Sequence, residues 1–129
     1  MLLGEKLIYR ELSRSIIGAS MKVLNSLKCG LDEKIYERAL VIELRKRGHI
    51  IEQQRRFIVW YEGHEIGDLI PDLLVDDKII VDPKVVEEFN NSHLAQMQGY
   101  LAIIGLRLAI LVNFKHHELK WKRIVRSEF

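Results

Sequence analysis

Apolar residues recur every three or four positions along two early segments of the chain, which is the spacing of amphipathic helices. The first predicted helix covers residues 5–28 and is stopped by Gly30. The second covers residues 33–47, begins after Asp32 as its cap and ends at Gly48. The apolar stripe of the first helix consists of Ile8, Leu12, Ile16, Ala19, Val23 and Leu27. Each helix is expected to bury one face.

The middle of the chain is rich in β-branched and aromatic residues, which predicts strands rather than helices. We expect three successive strands at residues 50–61, 65–75 and 78–86. Turns at residues 62–64 and 76–77 join them. The second and third strands therefore form a hairpin.

The last third of the chain predicts one more helix and two more strands. The helix covers residues 91–105, with Asn91 or Ser92 as its cap. A buried strand follows at residues 107–114 and an alternating strand at residues 117–125. Candidate inward residues of that final strand are Leu119, Trp121 and Ile124.

The predicted order α, α, β, β, β, α, β, β indicates an α/β fold with a mixed β-sheet flanked by helices. The chain has 129 residues, of which 48% are hydrophobic, so residues 1–129 are expected to form a single domain with its own core. Association into a homodimer is left open, because oligomerisation also stabilises small domains.

Composition narrows the functional class only slightly. Twenty basic and eighteen acidic residues give a formal charge of +2, which is too balanced to indicate nucleic-acid binding by itself. The single cysteine, Cys29, excludes an internal disulfide and favours a cytoplasmic protein. We see no signal peptide, and the most apolar segment is interrupted by Gly105 and Arg107, so no membrane partner is expected.

Two aspartates and a lysine interrupt the apolar runs of the predicted hairpin. Asp82 and Lys84 are two residues apart and therefore project from the same face of one strand. If Asp72 pairs directly with Asp82, all three side chains share that face. A strict two-residue turn would shift the register by one and send Asp82 to the opposite face. The shared face therefore demands a three-residue turn or a bulge.

Neighbouring carboxylates repel each other unless a positive group joins them. Two carboxylates with incomplete protein coordination suit Mg²⁺ or Mn²⁺, which keep water ligands and accept phosphate oxygens. A lysine beside such an ion can orient a water and stabilise charge on a phosphoryl group. The alternative is a surface hairpin with solvated charges, or a simple Asp–Lys salt bridge.

Two helical features add to this candidate site. Glu33 shares a helical face with Tyr36 and Leu40, where a carboxylate is costly unless it is paired or bound to metal. The alternative is a first-turn glutamate that is favoured by the helix dipole. Gln96 and Tyr100 are four residues apart on one face of the third helix, and their alternative is ordinary polar surface.

Together these residues resemble the GxxExxY family, a branch of the PD-(D/E)XK nuclease-like superfamily. In "GLDEKIY", Gly30, Glu33 and Tyr36 are similar to the motif that gives the family its name. The segment "IPD", which contains Asp72, and the later Asp82-Pro83-Lys84 are together similar to the superfamily motif. The resemblance extends from about residue 16 to about residue 125.

The resemblance implies a restriction-endonuclease-like αβββαβ core with an extra N-terminal helix, and a site that binds Mg²⁺ and hydrolyses phosphodiester bonds. Carried over residue by residue, Asp72 and Asp82 would be metal ligands, and Lys84 would position the attacking water. Glu33 would complete the acidic cluster directly or through water. Gln96, Tyr100 and Tyr36 would support the site.

The chain departs from the family pattern at Asp82-Pro83-Lys84, where the family usually has Glu-Leu-Lys or similar. Aspartate is shorter than glutamate by one methylene. Proline removes a ladder donor and favours an edge strand, a bulge or a strand start. The Pro83 carbonyl is still available as a third metal ligand, so the departure bears on activity more than on metal binding.

A nuclease also needs basic residues that hold the phosphate backbone. Candidates are Arg55 and Arg56 before the hairpin, and Lys120 and Lys122 near the C-terminus. Three functions stay open at this point: a metal-dependent nuclease, a nuclease-fold module that binds nucleic acid or a protein partner without catalysis, and a metal-stabilised structural domain. Fold resemblance does not decide among them, since function depends on the site.

Overall fold

A computed structural model describes residues 8–128 of the chain. It contains helices α1 (Arg10–Leu27), α2 (Glu33–Lys46) and α3 (Asn91–Ile104). The strands are β1 (Ile51–Gln53), β2 (Phe57–Tyr61), β3 (His64–Leu69), β4 (Leu73–Val75), β5 (Ile79–Lys84), β6 (Leu108–Asn113) and β7 (Lys120–Val125). Helices α1 and α2 and the strands β1 to β5 precede α3, and β6 and β7 follow it.

Five strands form one mixed sheet in the order β1-β4-β5-β6-β7. Strands β1, β4 and β5 pair antiparallel, and so do β6 and β7. Strands β5 and β6 pair parallel, because α3 carries the chain back across the sheet between them. The predicted mixed sheet flanked by helices is therefore confirmed, with three strands of the sheet before α3 and two after it.

Both faces of the main sheet are covered, which explains the nearly continuous apolar runs of its central strands. One face packs on α1 and α2, and its buried residues include Val81, Ile110 and Tyr36. The other face packs on α3, where Ile80 and Leu111 contact Met97. A charged residue on β5 must therefore emerge between a helix and the sheet rather than into open solvent.

Strands β2 and β3 form a separate two-stranded sheet, which corrects two predicted strands. The predicted strand 50–61 is divided between β1 and β2, and the predicted strand 65–75 is divided between β3 and β4. The first break lies at Gln54, whose positive φ of 54° is incompatible with a continuous strand. The second lies at residues 70–72, where Pro71 lacks the backbone donor that a ladder requires.

Smaller corrections concern caps and one tryptophan. Helix α3 is capped by Asn90 rather than Asn91 or Ser92, and Asn90 and His93 form a reciprocal capping box. Asp32 is the N-cap of α2 as predicted, although its side chain forms no capping hydrogen bond. Trp121 was expected to point inward, yet it is 43% exposed.

Helix α1 begins at Arg10, and the predicted start at residues 5–7 lies outside the described residues. Helix α1 ends at Leu27 with Lys28, at a φ of 66°, as its C-cap, so the expected stop at Gly30 lies two residues beyond the observed cap. In the part of the chain that the structure describes, no helix has the length and apolar character that crossing a membrane requires.

Candidate functional site

The turn between β4 and β5 contains three residues, and this sets the faces of both strands. Leu73 pairs with Val81 and Val75 with Ile79, so residues 76–78 form the connection. Continued by one residue, this register places Asp72 opposite Asp82. The two aspartates and Lys84 therefore share one face, as expected for a three-residue turn.

A chain of hydrogen bonds holds this turn in place. Asp76 has a φ of 52°, and its carboxylate accepts from the Ile50 backbone N–H at 2.7 Å and contacts His49 Nδ1 at 2.8 Å. His49 Nε2 lies 2.7 Å from the Ser15 hydroxyl on α1. Although burial opposes it, these hydrogen bonds from Ile50 and His49 hold the pKa of Asp76 below its usual value. Tertiary contacts therefore select the turn.

The shared face opens into a small polar cavity of about 180 Å³ between the hairpin, the start of α2 and the side of α3. Strand β5 brings Asp82 and Lys84 to it, Asp72 comes from the residue just before β4, and α2 brings Glu33. Its lining residues are Glu33, Ile70, Pro71, Asp72, Ile80, Asp82, Lys84, Gln96, Met97 and Tyr100. Six of the predicted site residues thus meet around one concavity.

The two aspartates differ in their electrostatic surroundings. Burial, and then the neighbouring Asp82 carboxylate, raise the pKa of Asp72 from 3.8 to about 6. Asp82 is 7% exposed and contacts the Lys84 ammonium at 3.3 Å. The lysine therefore balances one of the two carboxylates, and the site retains an excess of negative charge.

Glu33 stands at the rim of the cavity in the first turn of α2. Desolvation raises its pKa, Lys84 opposes the shift, and Asp72 adds to it. Tyr36 does not line the cavity. Its hydroxyl instead donates to the Lys28 carbonyl at 2.6 Å and accepts from the Leu31 N–H at 3.1 Å, so it holds the loop that precedes Glu33.

Helix α3 contributes the far wall of the cavity. The Gln96 amide lies 3.4 Å from the Tyr100 hydroxyl. Burial raises the pKa of Tyr100, and the Asp82 and Asp72 carboxylates raise it further, so the phenol stays a hydrogen-bond donor. On the same helix, burial and the nearby Lys84 lower the pKa of His93.

Pro83 lies in a central strand, against the expectation that a proline marks an edge, a bulge or a strand start. On one side it pairs with Val112 of β6. On the other side β4 begins at Leu73, so the ladder has already ended where a partner for Pro83 would stand. The missing N–H therefore leaves no ladder acceptor unpaired within β4.

The donor set fits a hard divalent cation better than zinc. Within residues 8–128, no three His, Cys, Asp or Glu side chains lie close enough together to hold one ion. Two carboxylates supplemented by a carbonyl and water match Mg²⁺ or Mn²⁺, whereas structural zinc sites need four protein ligands. Burial is the main cause of the raised pKa of Asp72, and a cation would relieve the repulsion from Asp82 that adds to it.

Two residues that the sequence analysis overlooked belong to this site. Gln54 contacts the Asp72 carboxylate through its amide at 3.3 Å. The positive charge of Lys34 weakly opposes the rise in the pKa of Asp72, and the Lys34 ammonium lies 3.0 Å from the buried Glu37 carboxylate. No sequence signal marks Gln54, because its contact joins the residue after β1 to the residue before β4, which are far apart in the chain. Lys34 was detectable only as a neighbour of Glu33.

The predicted nucleic-acid-binding residues occupy two different places. Arg55 pairs with Glu52 and Asp77. Arg56 pairs with Asp68 and Glu65, so the carboxylates around both arginines neutralise them.

Lys120 and Lys122 are exposed on β7, which is an edge strand of the main sheet. The register aligns Lys120 with Asn113 and Asn113 with Lys84, so Lys120 lies on the site's face of the sheet, two strands away from Lys84.

Comparisons with known proteins agree with this architecture. A family model described as the PD-(D/E)XK nuclease superfamily matches residues 10–124. The fold is similar to an alkaline exonuclease, LHK-Exo, from Laribacter hongkongensis, with a TM-score of 0.50 and 14% identity over 84% of this chain and 77% of that chain. A structure of LHK-Exo in complex with dAMP matches equally well, with a TM-score of 0.50 and 16% identity over 85% of this chain and 77% of that one.

The crystal structure of SSO0001 is also similar, with a TM-score of 0.58 and 17% identity over 98% of this chain, which spans only 63% of SSO0001. No curated protein matches the sequence. At these identities the structural matches establish the fold alone, whereas the family model covers most of the chain. The chain belongs to the PD-(D/E)XK nuclease superfamily.

Proposed function

We propose that this protein is a metal-dependent nuclease that hydrolyses phosphodiester bonds in DNA or RNA. The observation that carries the proposal is the cavity in which Asp72, Asp82 and Lys84 meet Glu33 and Tyr100. Perturbed carboxylates gathered in a concave site are typical of active sites. We also assign the chain to the GxxExxY branch, on the basis of Gly30, Glu33 and Tyr36.

Asp72 and Asp82 would hold Mg²⁺ or Mn²⁺, with the Pro83 carbonyl as a third protein ligand. When bound, such an ion polarises a phosphoryl oxygen and lowers the pKa of water. Lys84 is 14% exposed and already fixed beside Asp82, so it offers an ammonium group to the attacking water or to the phosphoryl oxygens.

The remaining residues shape the substrate side of the cavity. Glu33 is exposed at the rim and would act through a water rather than as a direct third ligand. The Tyr100 hydroxyl and the Gln96 amide would donate to phosphate oxygens or to bound water. The complex of LHK-Exo with dAMP shows that this fold accommodates a deoxynucleotide in one relative, which favours DNA as the first substrate to test.

The direct test is a cleavage assay with purified protein on linear duplex DNA, single-stranded DNA and RNA. We expect slow cleavage that requires Mg²⁺ or Mn²⁺ and stops in EDTA, with Mn²⁺ the more permissive ion. End-labelled and circular substrates distinguish exonuclease from endonuclease products. Metal-dependent cleavage supports the proposal, whereas no cleavage with either ion on any substrate contradicts it.

A second candidate function is a nuclease-fold module that binds nucleic acid or a protein partner without cutting. The short Asp82 and the stiff Pro83 favour it, since both sit where the ligands must be aimed. A displacement of about 1 Å can lower a rate roughly a hundredfold. The double change Asp82→Glu with Pro83→Leu restores the family-like sequence and should raise cleavage if the site is merely misaligned.

If neither the wild type nor this double variant cuts, the binding module replaces the nuclease. A salt-dependent affinity for DNA or RNA is then the property to measure, because phosphate contacts release counterions.

A further inference from the structure

Gln54 adopts a backbone conformation that a residue with a Cβ rarely takes. It follows directly after β1 with a φ of 54°, in the left-handed region that favours glycine. Left-handed conformations outside glycine are unfavourable and persist where surrounding contacts enforce them, often at functional sites. A glycine would remove the strain, so a role for the glutamine side chain is indicated.

The contacts of Gln54 converge on a single residue. Its backbone N–H donates to the Asp72 carbonyl at 3.1 Å, one residue beyond the β1–β4 ladder. Its side-chain Nε2 donates to Asp72 Oδ1 at 3.3 Å. One residue therefore holds both the main chain and the carboxylate of Asp72.

Asp72 needs such support because it lies outside the strands, where no ladder hydrogen bonds fix its position. Strand β4 begins at Leu73, so Asp72 stands outside the β4–β5 ladder that aligns the rest of the hairpin. A carboxylate at a strand end has free rotamers unless a donor fixes it. Hydrogen bonds from residues behind a metal ligand orient it and are as much a part of such sites as the ligands.

From these contacts we propose that Gln54 is a positioning residue that orients the Asp72 carboxylate for metal binding and phosphodiester hydrolysis, a role that rests on the proposed function. An amide suits the task, since it donates to a carboxylate without adding charge. Glutamate at this place would add a further negative charge, and lysine would pair with the Asp72 carboxylate in place of a cation. The amide takes one lone pair of Oδ1 and leaves the others for the ion.

The test replaces Gln54 by glycine, which keeps the left-handed backbone and its N–H while removing the amide. Glu62→Gly is the matched control, because Glu62 has a φ of 50° in the β2–β3 turn and does not line the cavity. The measurements are Mn²⁺ affinity by isothermal titration calorimetry, melting temperature without metal, and the cleavage rate of linear DNA.

We expect Gln54→Gly to retain or raise the metal-free melting temperature, because the strain is relieved. Mn²⁺ affinity and cleavage should each fall by roughly 10- to 100-fold, as is common when a supporting hydrogen bond behind a metal ligand is lost. Glu62→Gly should gain the same relief and leave Mn²⁺ affinity and cleavage unchanged. Gln54→Glu should fail to restore cleavage, since it is similar in size but cannot donate.

Wild-type Mn²⁺ affinity and cleavage in Gln54→Gly would overturn the positioning role. A fall in metal-free melting temperature with unchanged Mn²⁺ affinity would overturn it too, by assigning Gln54 a purely structural role. Failure of the wild type to bind Mn²⁺ or to cut would contradict the proposed function itself, and the role of Gln54 with it.

Discussion

The five-stranded sheet and the two-stranded β2–β3 sheet both contain large apolar residues but have opposite surroundings. Strands β4, β5 and β6 are buried under helices on both faces, whereas β3 is exposed along nearly its whole length. Trp60 and Ile66 in the smaller sheet are 62% and 63% exposed. An isolated hairpin of this size is marginally stable in water, so its attachment to the main body matters more than its own contacts.

The same contrast gives aspartates in the two regions different electrostatic surroundings. In the small sheet, Asp68 pairs with Arg56 at the surface, where a salt bridge contributes little to stability. In the main sheet, Asp72 stands beside another carboxylate in a polar cavity, and its pKa rises to about 6. A carboxylate is a candidate for chemistry where the fold buries it beside another carboxylate.

The largest expected difference between the sheets is in stability. Ile110→Ala removes a fully buried side chain from the centre of the main sheet and should lower the free energy of unfolding by roughly 2–5 kcal/mol. Trp60→Ala should change it by no more than about 0.5 kcal/mol, because the ring is mostly solvated. Urea unfolding measures both. Similar losses in the two variants would mean that the small sheet is packed against something in solution.

The second-largest expected effect is on cleavage, through Lys84 of the main sheet. Lys84→Ala should lower cleavage about 100- to 1,000-fold, since it removes an electrostatic contact to the transition state. Lys46→Ala, on the exposed end of α2, is the control and should cut normally. Cleavage rates under single-turnover conditions, with circular dichroism to verify folding, decide the matter. Equal rates in wild type and Lys84→Ala would remove Lys84 from the mechanism.

A smaller effect is expected from the pH dependence of Asp72. Its pKa is higher in the folded protein than the ordinary 3.8, so its contribution to stability is fully present below about pH 4 and is lost as the pH rises through about 6. Relative to Asp72→Asn, the metal-free wild type should therefore lose roughly 1–2 kcal/mol between those pH values, after allowance for partial exposure. Chemical denaturation of both proteins at each pH gives the difference.

Millimolar Mn²⁺ should abolish that loss in the wild type, because a ligand that binds only the folded state stabilises it. The same stabilisation by Mn²⁺ in Asp72→Asn would place the metal elsewhere.

The hydrogen bonds behind the β4–β5 turn should have a comparable or slightly smaller effect. His49→Ala leaves Asp76 without a side-chain partner and should lower the free energy of unfolding by about 1 kcal/mol. His49→Asn restores a donor near the Nδ1 position and should recover more stability than His49→Gln, whose amide lies nearer the Nε2 position. Better recovery by glutamine would mean that the Ser15 contact, not the Asp76 contact, holds the turn.

The smallest expected effects concern nucleic-acid binding. Replacing both Lys120 and Lys122 by alanine should weaken DNA binding severalfold and reduce the salt dependence by about two charges. The equivalent change of Arg55 and Arg56 should have less effect, since each of these arginines pairs with two carboxylates, whereas Lys120 pairs with Glu118 at 3.6 Å. Affinities at several salt concentrations, measured by fluorescence anisotropy, distinguish the two pairs. A larger effect for the arginines would make the small sheet the docking surface.

The predictions from sequence were correct where a pattern is local. The helical periodicity of α1, α2 and α3 and the apolar run of β6 are properties of short segments, and each element was found within a few residues. The motif residues Glu33, Asp72, Asp82 and Lys84 were selected by order and strand parity, and they do line one cavity. Their chemical roles stay predictions.

The predictions were wrong where the conformation of one segment depends on its contacts with another. Residues 50–61 have a uniform β pattern, but the left-handed backbone of Gln54 ends β1 and separates it from β2. Trp121 alternates like a core residue, yet β7 lies at the edge of the sheet, and the edge leaves the ring half exposed.

The sequence by itself determined the class of fold, the helices, the buried strands and the identity of the charged residues in the hairpin, because these follow from the spacing of apolar side chains and from short motifs. Only the tertiary structure decided whether Asp82 faces Asp72. That depends on one residue in the length of a turn, and contacts from α1 and from the segment before β1 hold the turn in place. A period of two makes every strand residue equally able to face either side until such contacts choose.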